Sequence, residues 1–333
     1  MKRLIPLLMA LLFGEPSIAD MGSIPFKPAA KVLEPTQRAL IACNGKEQIL
    51  ILTTDLQADQ ETKVLEIMPF PSEPTVTKAD ADVFKKATDL INKKLPRTGG
   101  AFRSLAESSF ESADTPPAGT VTFHERIGAH DVSTTHVENP EGFVQWAQDY
   151  LKTQGVDNPV IPPALAGVIG EYIRENFTWF VFDVVSLSKT PVTKEAIQFR
   201  FKTGFLFYPM RITRTEQGDT TVTLLIMTTR LIAPKFFLGI SRDKIRMVHQ
   251  PVMLTGAEVS GLSKDIFGLL GSPESIQIRN WQITGRLDSF EDDVIVGDPA
   301  TFINHLRRRH LDSPAPCLNP QTNLTDQPPS LAE

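Results

Sequence analysis

Two cysteines in 333 residues are too few for a disulfide framework. Basic charge is not in excess either: 34 Lys and Arg stand against 39 Asp and Glu, a formal net charge of −5. Nucleic-acid binders usually carry a basic stripe, so nucleic acid is set aside as a partner. After residue 19 no stretch reaches the ~20 largely uncharged residues of a membrane-spanning helix. G-x-S-x-G, Walker A, the dinucleotide fingerprint and H-E-x-x-H are all missing, and neither Cys stands in a reactive-Cys context. The usual signatures of hydrolases, nucleotide-binding enzymes and zinc proteases are therefore absent. What is present, 41% hydrophobic and 22% charged residues, is the balance of a chain that folds around a core.

The strongly apolar run lies at the start. Lys2 and Arg3 precede Leu4 to Phe13, Glu15 and Pro16 close the run, and Ser17-Ile18-Ala19 supplies the small-x-small pattern read by signal peptidase. We expect a signal peptide over 1–19, cleaved after Ala19, and an extracytoplasmic mature protein, periplasmic or secreted. Losing Lys2, Arg3 and Glu15 would take the net charge from −5 to −6. In that compartment Cys43 and Cys317 could pair. The other reading is a buried Cys43 and an exposed Cys317, because Cys317 stands in a Pro-rich tail.

Asn44-Gly45 between two apolar runs predicts a type I′ hairpin joining strands 37–43 and 47–54. A third strand is expected over 63–70 and an amphipathic helix over 78–94, with Val83, Ala87, Leu90 and Ile91 on one stripe. These make a 20–96 N-terminal β-hairpin lobe plus helix. Residues 97–120, with Gly99-Gly100 and Pro116-Pro117, read as a loop or linker. The main region, 121–312, opens on one or two short strands (121–137). Asn139 then caps a helix with Pro140 at its first position and Gly155 beyond its end. A second helix is expected from Pro163 to Asn176. Strands are expected over 178–187, 195–203, 205–214, 220–232, 244–253 and 276–285, followed by a helix over 299–310. In the last strand Ile276 and Ile278 against Trp281 and Ile283 switch parity, which predicts a bulge near Arg279-Asn280. Residues 313–333 read as a disordered polar tail. A faint echo between 48–70 and 178–209 adds two similar β-lobes as a variant of the architecture.

The densest ionisable cluster is FHERIGAHDVSTTH. His124, His130 and His136 are each six apart, so an unbroken strand would put all three on one face. With Glu125 and Asp131 nearby, imidazoles and a carboxylate offer the donors that zinc or copper takes. Six residues of strand span about 20 Å, so only a fold-back near Gly128 would bring His124 close to His130. The candidate metal residues are accordingly His124, His130 and Asp131. Glu291-Asp292-Asp293 reads as a solvated turn, and Asp183, isolated in an apolar strand, as outward-pointing or bonded to backbone. HLRRRH at 305–310 reads as a solvated helix end, since its three arginines fan around the helix. The alternating Phe180, Phe182, Phe199, Phe201, Phe205 and Phe207 are core candidates.

Several stretches resemble the bacterial secreted family catalogued as domain of unknown function 2330. They are EPTQRALIACNGKEQILILTTDL, KVLEIMPFPSEPTV, FHERIGAHDVSTTH leading into ENPEGFVQWAQDYL, WFVFDVVSL and AIQFRFKTGFLFYPMRIT. The resemblance runs from about residue 35 to 285. It implies a signal peptide, strands ending in a P-x-P element, a Trp-containing helix and paired β-segments. The C-terminal membrane anchor of many relatives has no counterpart in this sequence, which puts surface tethering in doubt. That family has no established activity, so it carries over no catalytic residue and no cofactor.

The sequence thus predicts an α+β protein, an antiparallel β-rich core with flanking amphipathic helices. The leading expectation is a non-catalytic binding or assembly role in the cell envelope, with an envelope protein or surface component as partner and no cofactor. The alternative is an extracytoplasmic metal-dependent or hydrolytic enzyme using His124, His130 and Asp131.

Overall fold

The computed structural model describes residues 22–297, apart from 28, 81, 96–119, 128–129, 138, 158, 191, 194, 217, 230–236 and 272–275. The expected signal peptide, nearly all of the 97–120 linker, the 299–310 helix with its arginines, and the 313–333 tail with Cys317 lie outside these residues. The chain begins β1 (Gly22–Pro25), β2 (Val32–Cys43), β3 (Glu47–Ala58), β4 (Thr62–Phe70), β5 (Thr75–Lys78), α1 (Asp82–Lys94). It continues β6 (Thr120–Ile127), β7 (His130–His136), α2 (Pro140–Thr153), α3 (Pro163–Arg174), β8 (Trp179–Leu187), β9 (Val192–Thr193), β10 (Ile197–Lys202), β11 (Leu206–Tyr208). After a 3-10 turn at Arg211–Thr215 come β12 (Asp219–Thr228), β13 (Phe237–Leu238), β14 (Ile245–Met247), β15 (Val252–Leu254), α4 (Gly256–Leu262), α5 (Lys264–Leu270), β16 (Ile276–Arg286) and β17 (Val294–Val296).

The strands make three sheets. One runs β1-β4-β8-β7-β6, all antiparallel. The largest runs β14-β16-β12-β2-β3-β10-β5, with β15 also on β16 and β9 on β3, and its β2–β12 pair is parallel. A three-stranded sheet, β11-β17-β13, stands apart. The fold is α+β and β-rich, as expected. Both larger sheets contain strands from 20–96 and from 121–312, joined through β4–β8 in one and through β2–β12 and β3–β10 in the other, so the two regions share one core. The echoing segments do likewise: β3 and β10 lie in the large sheet, β4 and β8 in the five-stranded one.

Side-chain alternation sets the layers. Phe180 and Phe182 of β8 point to α2 and α3, where the Phe182 ring lies 4.1 Å from Trp146 and 6.0 Å from Phe143. On the opposite pleat Met68 of β4 and Val181 of β8 face Leu52, Ile197 and Phe199 of the large sheet. That sheet is buried on both sides. Ala39, Ile41, Leu50 and Leu52 join the inter-sheet core, while Leu40, Ala42, Ile49 and Ile51 pack under α1, α4 and α5. The order is helices, sheet, sheet, helices.

Double-sided burial corrects the bulge expected near Arg279-Asn280. β16 pairs with β12 in unbroken register from Thr228↔Gln277 to Asp219↔Arg286. Ile276 and Ile278 serve the helix-covered face, and Trp281 and Ile283 the inter-sheet face, so the parity switch records two cores. The β2–β3 turn is also corrected. Asn44 N donates to Glu47 O, leaving Gly45 and Lys46 as the central pair. Gly45 has φ +84° and Lys46 is not positive, the II′ pattern rather than I′. The Asn44 carboxamide oxygen accepts from the Lys46 and Glu47 amides at 2.8 and 2.9 Å, which explains Asn without a positive φ.

Two expected strands are shorter or broken. The 205–214 strand ends at Tyr208, because Arg211 begins the 3-10 turn, and the 244–253 strand is split into β14 and β15. Helices α4 and α5 were not foreseen, although Thr255-x-x-Glu258 forms a capping box and Ser263 caps α5.

Strand β1 is tied to the 3-10 turn region by Glu216, whose Oε1 accepts from the Ser23 amide and hydroxyl, each at 3.2 Å. Burial raises the Glu216 pKa, only partly offset by those hydrogen bonds. Its folded value therefore exceeds its unfolded value, so stability is lost as pH rises through the carboxylate range. Glu216→Gln keeps the acceptor oxygen and removes the charge. Urea midpoints are expected to be higher for the variant than for the parent chain at neutral pH, with the difference vanishing in acid.

Candidate functional site

Two buried polar clusters and one open groove are the candidates. The first cluster lies between the sheets. His130 leads β7 and Asp183 sits in mid-β8; both are almost wholly buried, and Nδ1 of His130 hydrogen-bonds Asp183 Oδ2. Nε2 of His130 lies 3.1 Å from the Glu195 carbonyl, just before β10 of the large sheet. Each ring nitrogen of His130 thus has an oxygen partner, one from each sheet. Glu66 is directly across the β4–β8 ladder from Asp183 and is buried with it. With Thr53, these groups border a cavity of about 20 Å³, room for roughly one water molecule.

This arrangement corrects the expected His124/His130/Asp131 constellation. His130 and Asp131 are consecutive on a strand and so point to opposite pleats. His130 turns to the large sheet, while Asp131 pairs across the β6–β7 ladder with Arg126. β6 and β7 do fold back as a hairpin, but His130 opposes Ile127 and His124 opposes Ser133. Three ladder steps, about 10 Å, then separate the two histidine backbones. The His124 side chain is outside the described residues. His136 is elsewhere, its Nε2 3.0 Å from Thr178 Oγ1 and its ring 4.7 Å from Trp179. Among the described residues no group of three or more His, Cys, Asp or Glu is placed to hold a metal ion. Asp183 is corrected as well: it points inward and its partner is an imidazole.

The second cluster centres on Arg211, which is fully buried. Its guanidinium meets Glu175 in a two-pronged pair at 2.5 and 2.9 Å and lies over the Tyr172 ring, 4.0 Å from the centroid. Asp293 Oδ1 accepts from the Tyr172 hydroxyl at 2.6 Å and from the Met210 and Arg211 amides at 2.9 Å. Asp293, expected in a solvated turn, is thus buried and ties β17 to α3 and the 3-10 turn. Burial opposes the Arg211 charge, but Tyr172, Asp293 and Glu175 outweigh it and hold its pKa above the ordinary value. Burial, then Asp293, pushes the Tyr172 hydroxyl pKa well up. Most of the polar atoms here are spent on one another, the geometry of a clamp between elements, though Arg211 Nε and Asp293 Oδ2 make no hydrogen bond. The sequence signal was an Arg inside the apolar run FLFYPMRIT, which the alternation of strands concealed.

The groove, of about 1240 Å³, is formed where the end of β1 and the β3–β4 turn approach the α2–α3 connection. Pro25, Phe26 and Val156 give it apolar walls, and Lys63 and Asp157 stand at its polar margins. Val160, 76% exposed, rises from the same connection. Among the described residues no His or Cys lines it. Nothing in the sequence pattern announced this groove, because its residues come from four separated segments.

A bacterial family described as an uncharacterized protein conserved in bacteria (DUF2330) matches residues 16–247. The chain belongs to this family. The DUF2330 match takes in both clusters except Asp293, and every residue of the groove; α4, α5 and β15 to β17 follow its last matched residue. No curated protein matches the chain in sequence. Among solved structures, baculovirus P35 is similar at 10% identity, covering 82% of this chain and 99% of that one, with a TM-score of 0.38. A mutated baculovirus P35 after caspase cleavage gives 9% identity, 79% and 99% coverage, and a TM-score of 0.36. No helix among the described residues is long and apolar enough to cross a membrane.

Proposed function

We propose that this DUF2330 chain is an extracytoplasmic protein of the cell envelope that acts by binding or assembly rather than by catalysis, and that the groove between β1, the β3–β4 turn and the α2–α3 connection is its binding surface. The observation that carries this reading is a separation of chemistry from access. The His130–Asp183 pair, among the described residues the arrangement that resembles acid–base machinery, borders a cavity sized for a water molecule. The groove has room for a polypeptide segment or another envelope component and is walled mainly by apolar side chains. A substrate in the groove would meet no imidazole or thiol.

The amino-terminal residues support the compartment. Expressed from its full sequence in a bacterial host, the protein is expected to be recovered outside the cytoplasm with Asp20 as first residue, as intact mass will show. Cytoplasmic recovery with residues 1–19 attached would sink the localisation. For the binding role, purified mature protein is expected to retain envelope components that Val160→Asp protein, equally folded by circular dichroism, retains several-fold less. Equal retention by both would remove the groove from the account.

A further inference from the structure

The His130–Asp183 pair leaves part of its hydrogen-bonding capacity unused. Asp183 Oδ2 is taken by His130 Nδ1, but Oδ1, on a side chain only 7% exposed, is shielded from solvent and has no hydrogen-bond partner. Glu195 is divided in the same way. Its Oε1 accepts from Lys78 Nζ at 2.7 Å, while Oε2 is shielded from solvent and unpartnered. Asp183 belongs to β8 of the five-stranded sheet, and Glu195 stands just before β10 of the large sheet. His130 holds the two residues close, since one ring nitrogen meets the Asp183 carboxylate and the other the Glu195 carbonyl. Both residues line the cavity of about 20 Å³ between the sheets.

A buried acceptor without a donor carries the full cost of its lost hydration. Leu52, Met68, Val132, Val181, Ile197 and Phe199 make the apolar part of the wall and have no hydrogen to give. Thr53 has the strand parity of Ile49 and Ile51, so its side chain is directed to the helix-covered face. Glu66, across the ladder from Asp183, adds a third carboxyl. We propose that this cavity binds one water molecule, which donates one hydrogen to Asp183 Oδ1 and the other to Glu195 Oε2. A water needs roughly 10–15 Å³ of such space and two to four polar partners, and both conditions are met. It has two hydrogens to give, and two acceptors on opposite sheets each lack one. A metal ion would need a donor set that the described residues do not assemble. The water gives the two sheets a second link beside the imidazole, made through solvent.

The test is a crystal structure of the purified protein at a resolution that shows ordered water, with oxygen-17 relaxation dispersion counting long-lived waters in solution. One isolated peak is expected between the sheets, roughly 2.5–3.0 Å from both Asp183 Oδ1 and Glu195 Oε2. Val181→Ile extends a lining side chain by one methylene and removes no polar group. The variant is expected to lose one long-lived water and to unfold at lower urea, because both acceptors lose their donor. Filling an empty apolar cavity has the opposite effect, since it only adds buried surface. A urea midpoint raised by Val181→Ile, or a water count that it leaves unchanged, therefore overturns the site. A dry cavity, a peak with the short contacts of a metal ion, or a Glu66 carboxyl bonded directly to Asp183 Oδ1 overturns it too.

Discussion

Arg211→Met is expected to lower unfolding stability by about 3–5 kcal/mol, the usual cost of removing one partner from a buried ion pair. The loss is large against the 5–15 kcal/mol that typically holds a domain together. The physical reason is what remains. Glu175 and Asp293 would keep their charges in an interior that gives them no cation, and the Tyr172 ring would lose the guanidinium above it. Lysine is not expected to rescue the site, because one ammonium cannot make the two parallel bonds to Glu175. Arg211→Met combined with Glu175→Gln should recover part of the loss, since the charge most directly orphaned is gone. Urea denaturation of the three variants checks this. A cost below about 1 kcal/mol for Arg211→Met would mean that the clamp contributes little, as exposed pairs do.

His130→Ala should produce a loss of similar size, about 3–5 kcal/mol, by leaving the Asp183 carboxylate buried beside Glu66. Asp183→Asn is expected to cost less, because an amide needs no counter-charge. The two residues belong to one sheet, yet His130 also reaches the Glu195 carbonyl before β10, so the pair fastens one sheet to the other. A double-mutant cycle should therefore give a coupling energy within the roughly 0.5–3 kcal/mol found for contacting residues. Strict additivity would show that the two side chains do not depend on each other. Because the pair is closed in, His130 variants that remain folded should still retain envelope components.

Much of the architecture was legible in local patterns. Asn139-Pro140 at the start of α2 and Gly155 after its end behave as their chemistry requires: Asn139 Oδ1 accepts from Gly142, and Gly155 has φ +83°. Phe199 and Phe201 alternate into the core as a half-buried strand demands. What was not legible depends on how strands are shared between layers. The parity switch in β16 and the Asn44-Gly45 turn each admitted two local solutions, and the large sheet's second core and an Asn side-chain cap chose between them. Asp183 and Asp293 were misjudged for one reason. A carboxylate in an apolar run tells nothing of the imidazole or phenol brought to it from 53 or 121 residues away. The sequence allowed a fold-back near Gly128 but could not give the β6–β7 register, and a difference of three ladder steps separates a cluster from a row. The groove was out of reach of any linear reading.

The central claim, binding at the groove outside the cytoplasm, is tested most directly by site-specific photocrosslinking in living cells. A photoreactive residue would replace Val160 in the groove, and Lys85 on the exposed side of α1 would serve as control. The account predicts a discrete adduct from position 160 in the envelope fraction, none from position 85, and loss of the adduct when Phe26→Asp is added. Equal labelling from both positions, or no adduct from position 160 in a protein correctly exported, would contradict it.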